Sequence, residues 1–229
     1  MSRLDIIIPV FNEEDNLDKI IKKVEENDYC GLEKRIIIVD DCSKDNSKDI
    51  LSNYKNHTVI CHKKNMGKGA AIRTGLSASS ADIVIIQDAD LEYDPQDYNK
   101  ILPHIINNEE VVVYGSRFLE NKSFKSFLFL SYLANIFLTK LTNIIFKSNL
   151  TDMETCYKAF RRDVLSDVQL KSNKFEIEVE LTAKVIKKGI KIKEIPISYN
   201  GRKYRNGKKI SAIDGLHAIF ALLYYKFFN

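Results

Sequence analysis

Five short apolar runs alternate with helix-like segments through the first half of the chain, and this alternation constrains the fold most. The runs are LDIIIPV, RIIIVD, TVIC, DIVIIQD and VVVYG. They are largely unbroken by polar residues, which is typical of strands buried on both faces. Asp94 and Pro95 begin the last intervening helix as N-cap and first-turn proline. Strand and helix at this spacing predict a parallel, doubly wound α/β sheet.

The composition is that of a globular protein. The 229 residues are 45% hydrophobic and 29% charged, and this length allows a substantial core. The four cysteines form neither a CxxC pair nor a zinc spacing, which predicts reduced thiols in a cytosolic protein. The N-terminus, MSRLDIIIPV, reaches a charged residue and a proline too soon for a secretory signal.

Positive charge is concentrated near the C-terminus. Residues 201–229 carry six Lys/Arg and one acid, a balance of +5 against +4 for the whole chain. Such a segment predicts an anionic partner, either a phosphate or a membrane surface. Nucleic acid is not expected, because the chain has no Trp and Tyr204 is the one aromatic residue of the basic patch.

The pattern of apolar residues in the sequence changes after about residue 118. Segments 124–146 and 211–228 are very apolar, but Lys125 and Lys140 make 124–146 a poor membrane-spanning helix. The first segment carries a polar stripe at helical spacing: Ser131, Asn135, Thr139 and Asn143. Two interpretations remain open, namely core helices and amphipathic helices lying in a membrane interface.

Four acids in strict alternation follow the fourth apolar run: Asp88, Asp90, Glu92 and Asp94. On one strand face they would lie about 7 Å apart, which costs stability without a cation. A calcium loop of the EF-hand type fails, because Tyr93 replaces its glycine and Asn99 its last glutamate. The stretch therefore predicts a Mg²⁺ or Mn²⁺ site beside a diphosphate, with a solvated loop as the alternative.

Two further motifs fit such a site. The segment NMGKGAAIRTG supplies Lys68 and Arg73, but it matches neither a P-loop nor a dinucleotide fingerprint, so a structural turn is an equal alternative. Asp40 and Asp41 end the second apolar run, where carboxylates can bind ribose hydroxyls or base N–H groups.

Six motifs, taken in order, resemble one family. IPVFNEE, VDDCSKDNS, NMGKGAAIRTG, QDADLEYDP, GSRF and the segment from FEIEVELTAK to GRKYRNGKKI are similar to family-2 glycosyltransferases of the dolichyl/polyprenyl-phosphate sugar synthase branch. The similarity covers nearly all of the chain. It implies a GT-A fold, with a mostly parallel sheet, flanking helices and amphipathic interface helices. It also implies one domain over 1–229, with a nucleotide-sugar-binding half (1–118) and an acceptor-binding, membrane-interface half (119–229).

The resemblance also implies roles for individual residues. The nucleotide-sugar contacts would be Pro9, Phe11, Glu13, Val39, Asp41, Lys68, Ala89, Arg202 and Lys208. The acceptor phosphate would meet Arg117 and Arg205, and the metal would bind Asp88, Asp90 and Glu92. The catalytic set would be Asp88, Asp90, Arg117 and Arg202. Phe11 departs from the commoner Tyr, and this chain stops at Asn229 where many relatives append membrane helices.

These features predict an inverting, Mg²⁺- or Mn²⁺-dependent hexose transfer from GDP-mannose or UDP-glucose to polyprenyl phosphate. The enzyme would lie peripherally on the cytoplasmic membrane face, through 124–146 and 211–228, with a membrane protein as a candidate partner. One alternative is a soluble enzyme that acts on a sugar hydroxyl, which needs a base. Candidate bases are Asp152, Glu154, Glu176 and Glu178. A second alternative is a non-catalytic nucleotide-sugar- or membrane-binding module.

Overall fold

The computed structural model describes residues 2–119, 129–201 and 212–228. Within these ranges the strands are β1 Arg3–Val10, β2 Glu33–Asp40, β3 Thr58–Cys61, β4 Ile83–Ile86, β5 Val112–Ser116, β6 Lys158–Arg161 and β7 Lys193–Pro196. The helices are α1 Leu17–Glu26, α2 Ser47–Leu51, α3 Lys68–Ala78, α4 Tyr98–Ile106, α5 Phe129–Phe146, α6 Arg162–Leu165, α7 Ile177–Lys187 and α8 Ala212–Phe227. A 3₁₀ turn, Pro95–Asp97, precedes α4.

The strands form one sheet in the order β3-β2-β1-β4-β6-β5-β7. β1, β2, β3 and β4 pair in parallel, as do β5 and β7. β6 runs antiparallel to both of its neighbours, β4 and β5. The prediction of a doubly wound, mostly parallel sheet with five strands in the first half is confirmed.

Two strands have no counterpart among the predicted ones. β6 (KAFR) and β7 (KEIP) each hold two charged residues within four positions, so neither contains an unbroken apolar run. β6 is nevertheless almost fully buried between β4 and β5. It pairs with both of these strands, and Ala159 and Phe160 are part of the main core.

The apolar runs are buried on both faces of the sheet, as unbroken hydrophobic strands require. Ile36 and Ile38 of β2 face the main core, whereas Ile37 and Val39 pack with Ala71 of α3 on the opposite face. Full burial of each such side chain stabilises the fold by about 1.5–3 kcal/mol. The central strands are therefore a rigid support for the loops that follow them.

α5 and α8 pack together with α7 in a second apolar cluster that includes Leu138, Val179 and Leu222. Both helices also keep large apolar side chains in solvent. Ile144 is 77% exposed, Phe220 68% and Phe227 73%. No helix in the described part of the chain is long and apolar enough to cross a membrane.

The polar stripe of α5 faces the protein interior. Thr139 is buried, and its Oγ1 accepts a hydrogen bond from the backbone N–H of Met153 (3.1 Å). The Asn143 side chain donates to the Leu150 carbonyl and accepts from the Leu150 N–H, both at 2.8 Å. Thr139 and Asn143 thus satisfy backbone groups of the 148–153 loop, while Leu138 packs inward and Ile144 points outward.

Candidate active site

The carboxyl ends of β1, β2, β4 and β5 lie at one edge of the sheet, because these strands run in the same direction. The residues that follow them therefore meet there, as expected for a parallel α/β sheet. β6 runs the opposite way, so the segment 152–157 that leads into it reaches the same edge. This segment brings acids from the second half of the chain to the site.

Asp88, the first acid after β4, is paired with Lys68 at the start of α3. The Lys68 Nζ lies 2.8 Å from Oδ1 of Asp88 and 3.1 Å from Oδ2. Burial opposes charge on Asp88, but the positive charge of Lys68 outweighs it and lowers the pKa of the carboxyl. Burial likewise opposes charge on Lys68, and Asp88 outweighs it and raises the pKa of the amine well above its usual value. Both groups are ionised at neutral pH.

Asp41 holds the turn that places Lys68. Its carboxylate accepts hydrogen bonds from the backbone N–H groups of Met66 (2.8 Å) and Gly67 (2.6 Å). Gly67 has φ +99°, and a Cβ there would lie 2.4 Å from the carbonyl oxygen of Asn173. The glycines of this segment thus permit a tight turn against the 172–174 backbone, which is the structural-turn alternative.

His62 orients Asp41. The His62 Nδ1 lies 2.7 Å from Oδ1 of Asp41, and Nε2 lies 2.9 Å from the Thr74 hydroxyl. An ionised carboxylate only accepts, so Nδ1 donates to Asp41, and in the neutral ring Nε2 accepts from Thr74. The Asp41 side chain is 3% exposed. Its contact with a nucleotide stays a prediction.

The other acids of the stretch have different neighbours. Oδ1 of Asp90 accepts from the backbone N–H of Glu92 (3.1 Å) across a tight turn. The Tyr199 hydroxyl donates to Oε2 of Glu92 (2.6 Å). Oδ1 of Asp94 accepts from the Gln96 N–H (3.1 Å), which confirms its predicted role as N-cap.

The predicted three-carboxylate metal set is not assembled as one cluster. Among the described residues, no three His, Cys, Asp or Glu side chains lie together in a way that could hold a metal ion. Lys68 holds Asp88 and Tyr199 holds Glu92. Mg²⁺ beside a diphosphate needs only one or two carboxylates, with its other ligands from phosphate and water. Asp88 and Asp90 fit that smaller requirement, since both are hard oxygen donors and partly exposed.

A buried pair, Lys158 and Glu178, lies next to the Lys68–Asp88 pair. The Lys158 Nζ is fully buried and donates to Oε2 of Glu178 and to the Thr155 carbonyl. The Lys68 Nζ lies 3.2 Å from Oε1 of Glu178. Glu178 is one of the candidate bases predicted from the sequence, whereas Lys158 is not among the predicted site residues. The signal for Lys158 is a lone lysine between apolar residues, in CYKAF.

Arg117, which follows β5, forms a buried bidentate pair with Asp152. Its Nε and Nη2 each lie 2.7 Å from a carboxylate oxygen, and the two side chains are 7% and 0% exposed. Asp152 is therefore engaged as a counter-ion, which makes it a poor base. The guanidinium also lies 5.2 Å from the centre of the Tyr199 ring. Its predicted contact with a phosphate stays a prediction.

Glu154 feels the charges of both ion pairs. Its Oε1 is buried and accepts no hydrogen bond from any described residue. Burial, reinforced by the negative charge of Glu178, raises the pKa of this carboxyl to about 7. Glu154 is thus the candidate base whose protonation changes near neutral pH.

The remaining predicted residues differ in how they are placed. Pro9 and Val39 are register partners on β1 and β2 and are buried, as is Ala89. Glu13 is 7% exposed and accepts from the side chain of Asn16, whereas Phe11 is partly exposed. Three basic residues lie outside the described residues: Arg202, Arg205 and Lys208.

The glycosyl transferase family 2 model matches residues 5–169, which is more than half of the chain. The chain belongs to glycosyl transferase family 2. The resemblance inferred from the six motifs is thereby confirmed, and this family-2 chain is a glycosyltransferase.

Two curated relatives have names that refer to a lipid phosphate. The UDP-N-acetylglucosamine–dolichyl-phosphate N-acetylglucosaminyltransferase of Methanococcus voltae is 29% identical over 242 residues, which cover 96% of this chain and 95% of that enzyme. The dolichol-phosphate mannosyltransferase of Pyrococcus furiosus is 27% identical over 212 residues, which cover 87% of this chain and 57% of that enzyme.

Solved structures share the fold. Glucosyl-3-phosphoglycerate synthase from Mycobacterium tuberculosis, in complex with Mn²⁺, UDP and phosphoglyceric acid, superposes with a TM-score of 0.79 at 15% identity and covers 100% of this chain and 80% of its own. The same synthase with Mg²⁺ and UDP gives a TM-score of 0.77 at 16% identity, covering 100% of this chain and 80% of that one. The predicted GT-A fold is confirmed.

Proposed function

We propose that this glycosyltransferase moves a hexose, or an N-acetylated hexosamine, from a nucleotide sugar to a polyprenyl phosphate at a membrane surface. The observation that carries the proposal is the set of exposed apolar side chains on α5 and α8, of which those of α8 are joined by a short chain of contacts to Asp88. The names of two relatives, which contain dolichyl or dolichol phosphate, support the same acceptor class.

The contacts run from α8 to the acidic edge in three steps. The Tyr225 hydroxyl lies 3.0 Å from the Ser172 hydroxyl. The backbone of 172–174 packs against Gly69, where a Cβ would lie 2.6 Å from the Ser172 carbonyl oxygen. Lys68, the neighbour of that glycine, binds Asp88. A lipid lying on α8 could therefore present its phosphate near the sheet edge.

An open cleft of about 400 Å³ lies along this route, between segment 171–176 and α8. Phe220 and Tyr224, which are 68% and 48% exposed, line it together with Lys171 and Ser172. Aromatic side chains suit an isoprenoid, and hydroxyl and amine groups suit its phosphate. The cleft thus supports an acceptor that is apolar at one end and anionic at the other.

The chemistry follows from where charge develops. Transfer breaks the bond between the anomeric carbon and a diphosphate, so negative charge grows on the leaving group. A divalent cation held by Asp88 and Asp90 would neutralise part of that charge. Lys68 places a further positive charge at the same edge. A phosphate acceptor is already anionic and needs no base to attack, which agrees with the engagement of Asp152 and Glu178 in ion pairs.

Glu154 favours a second candidate function, transfer to a sugar hydroxyl. That acceptor must lose a proton during attack, and a carboxyl with a pKa of about 7 can take it. This enzyme would act on a glycan and would not require a lipid. The outward faces of α5 and α8 would then need another explanation.

One assay separates the two functions. The protein is incubated with Mg²⁺ or Mn²⁺, a polyprenyl phosphate and radiolabelled GDP-mannose, UDP-glucose or UDP-N-acetylglucosamine, and then extracted with organic solvent. Metal-dependent label in the organic phase is the expected result. Label that stays in the aqueous phase on an added glycan would contradict the lipid acceptor and support the second function. A protein that binds the nucleotide sugar but transfers it to neither would be a binding module.

A further inference from the structure

The two carboxylate oxygens of Glu178 have different surroundings. Oε2 is bound by Lys158, which is fully buried and also donates to the Thr155 carbonyl. Oε1 is buried and has no hydrogen-bond partner among the described residues. The Lys68 Nζ nevertheless lies 3.2 Å from it, as an ion-pair contact. A buried carboxylate oxygen normally accepts a hydrogen bond, so this arrangement needs an explanation.

Lys68 sits where a divalent cation would have to compete with it. Its Nζ contacts both oxygens of Asp88, at 2.8 and 3.1 Å, and so takes up the carboxylate that the proposed metal requires. Two cations that share one carboxylate repel each other, and this repulsion is strong at a partly buried site. Asp88 can accept the metal at low cost only if Lys68 has another carboxylate within reach.

We infer that Glu178 is a positioning residue for the metal site: its Oε1 takes over Lys68 and so frees the Asp88 carboxylate for a divalent cation. The inference rests on the proposed function, in which Asp88 binds a metal beside the donor diphosphate. The Lys68 amine already lies between Asp88 and Glu178, so a small shift is enough to transfer its hydrogen bond from one carboxylate to the other.

Three features suit Glu178 to this task. Its side chain is 4% exposed, so water does not screen its attraction for Lys68. Lys158 fixes the carboxylate from the other oxygen and compensates its charge when Lys68 stays on Asp88. Glu178 also lies in the first turn of α7, where the helix dipole favours a negative charge.

Two simpler explanations make different predictions. If Glu178 served only as the counter-ion of Lys158, its substitution would change stability and leave metal binding alone. If Glu178 contacted the metal or acted on it through its charge alone, its effect on metal binding would not depend on Lys68. Only the proposed role makes the effect of Glu178 on the metal conditional on Lys68, which a double-mutant cycle detects.

The test measures Mn²⁺ binding by the loss of the free-ion EPR signal, with Mn²⁺ alone as the probe. Lys68→Met should tighten Mn²⁺ binding about tenfold, because the competing cation is gone. Glu178→Gln should weaken it about tenfold, because Lys68 then stays on Asp88. In the Lys68→Met background, Glu178→Gln should change the affinity no more than the control Glu176→Gln, which removes a charge one position before α7.

Glu178→Gln leaves Lys158 without its ionic partner and can lower stability, so melting temperatures accompany every measurement. Glu178→Asp keeps the negative charge but moves the carboxylate oxygens away from Lys68, because its side chain is one methylene shorter. It should therefore weaken Mn²⁺ binding by less than Glu178→Gln does. The Lys68→Met result stands even if the Glu178 variants unfold, because it leaves the Glu178–Lys158 pair intact. Weaker Mn²⁺ binding by Lys68→Met would overturn the inference, as would an unchanged effect of Glu178→Gln in that background.

The Mn²⁺-binding test does not depend on which acceptor the enzyme uses. Asp88→Asn should abolish the Mn²⁺ binding seen in the unaltered protein and in Lys68→Met. If this pattern holds but no label reaches the organic phase with polyprenyl phosphate, the acceptor assignment fails and the role of Glu178 stands. If neither the unaltered protein nor Lys68→Met binds Mn²⁺, the metal site and the inference fail together.

Discussion

The acids that follow β4 perform separate tasks because each has a different neighbour. Asp88 faces a lysine, Asp90 closes a turn, Glu92 binds a tyrosine and Asp94 caps a helix. The sequence indicated that these acids follow one strand and that Asp94, before Pro95, is the cap. It could not reveal Lys68 or Tyr199 as partners, because these lie 20 and 107 positions away from the acids they contact.

Substitution of Asp90 separates function from folding at this site. Asp90→Ala should lower transfer at least about 100-fold, since it removes a proposed metal ligand. The fold should persist, because the hydrogen bond that Asp90 accepts from the Glu92 N–H closes a local turn and is worth about 1 kcal/mol or a few degrees of melting temperature. Asp94→Ala is the matched control: it should cost similar stability and leave transfer unchanged. Full transfer by Asp90→Ala would refute the metal assignment.

Glu154 should make stability depend on pH. Its pKa is raised to about 7 in the fold, above the usual 4.5, so the folded protein binds this proton more tightly than the unfolded chain does. Its contribution is therefore most favourable below about pH 4.5 and is lost as pH rises through 7. Glu154→Gln, which cannot ionise, should gain about 3 kcal/mol over the unaltered protein at pH 8. The two should have similar stability at pH 4.5.

Thermal melts at both pH values check this expectation. A gain of about 3 kcal/mol corresponds to roughly 9 °C for a chain of this size. Glu176→Gln, on the partly exposed residue before α7, should show no such difference between the two pH values. An equal effect of Glu154→Gln at pH 4.5 and pH 8 would mean that Glu154 does not titrate between them.

At the scale of elements, α5 packs polar as well as apolar side chains against the protein. Leu138 packs in the apolar cluster, Thr139 and Asn143 bind the 148–153 loop, and Ile144 points outward. The stripe could be read from the sequence, but its direction could not, because a helical pattern does not say which face meets the protein. Backbone groups of the 148–153 loop require hydrogen-bond partners, and Thr139 and Asn143 provide them.

A pair of threonines on α5 tests this reading. Thr139→Val removes the acceptor of the buried Met153 N–H and should cost about 1–3 kcal/mol, because that donor is left unsatisfied. Thr142→Val should cost much less, because the Thr142 hydroxyl donates only to the Leu138 carbonyl of its own helix. Chemical denaturation of both variants gives the comparison. Equal losses would mean that the Thr139 contact contributes nothing specific.

Hydrophobic patterning predicted some strands of the sheet and not others. The first five strands were predictable because unbroken apolar runs allow few other structures. β6 and β7 were not, since each spans only four positions and two of those four residues are charged. Lys158 was missed for the same reason: its buried charge is tolerated only because Glu178, from a distant helix, neutralises it.

At the scale of the whole molecule, net positive charge and exposed aromatic side chains are both found in the C-terminal segment. Residues 201–229 carry six of the 35 Lys/Arg and one of the 31 Asp/Glu, so their net charge is +5 and that of the first 200 residues is −1. The exposed Phe220 and Phe227 lie in this same segment. An anionic membrane would attract the charge and receive the aromatic side chains.

Sedimentation with anionic vesicles tests the membrane proposal. Phe220→Asp with Phe227→Asp should lower vesicle binding at least about tenfold, because two exposed aromatic anchors are lost. Phe220→Leu with Phe227→Leu keeps apolar surface and should retain most binding. Raising NaCl from about 0.05 to 0.5 M should weaken binding of every version through charge screening. If neither the Asp substitutions nor the added NaCl changed vesicle binding, a membrane role for α8 would be contradicted.

The position of β6 has a consequence for how the chain acquires its structure. β4 and β5 are never hydrogen-bonded neighbours, because a strand made more than 40 residues after β5 lies between them. A ribosome that has released only the first 118 residues has supplied both flanking strands and left a gap where β6 belongs. The sheet, and with it the edge that gathers the acids, closes only when Lys158–Arg161 arrives. We expect folding to be late and cooperative, and the nascent first half to expose strand edges that need protection from aggregation.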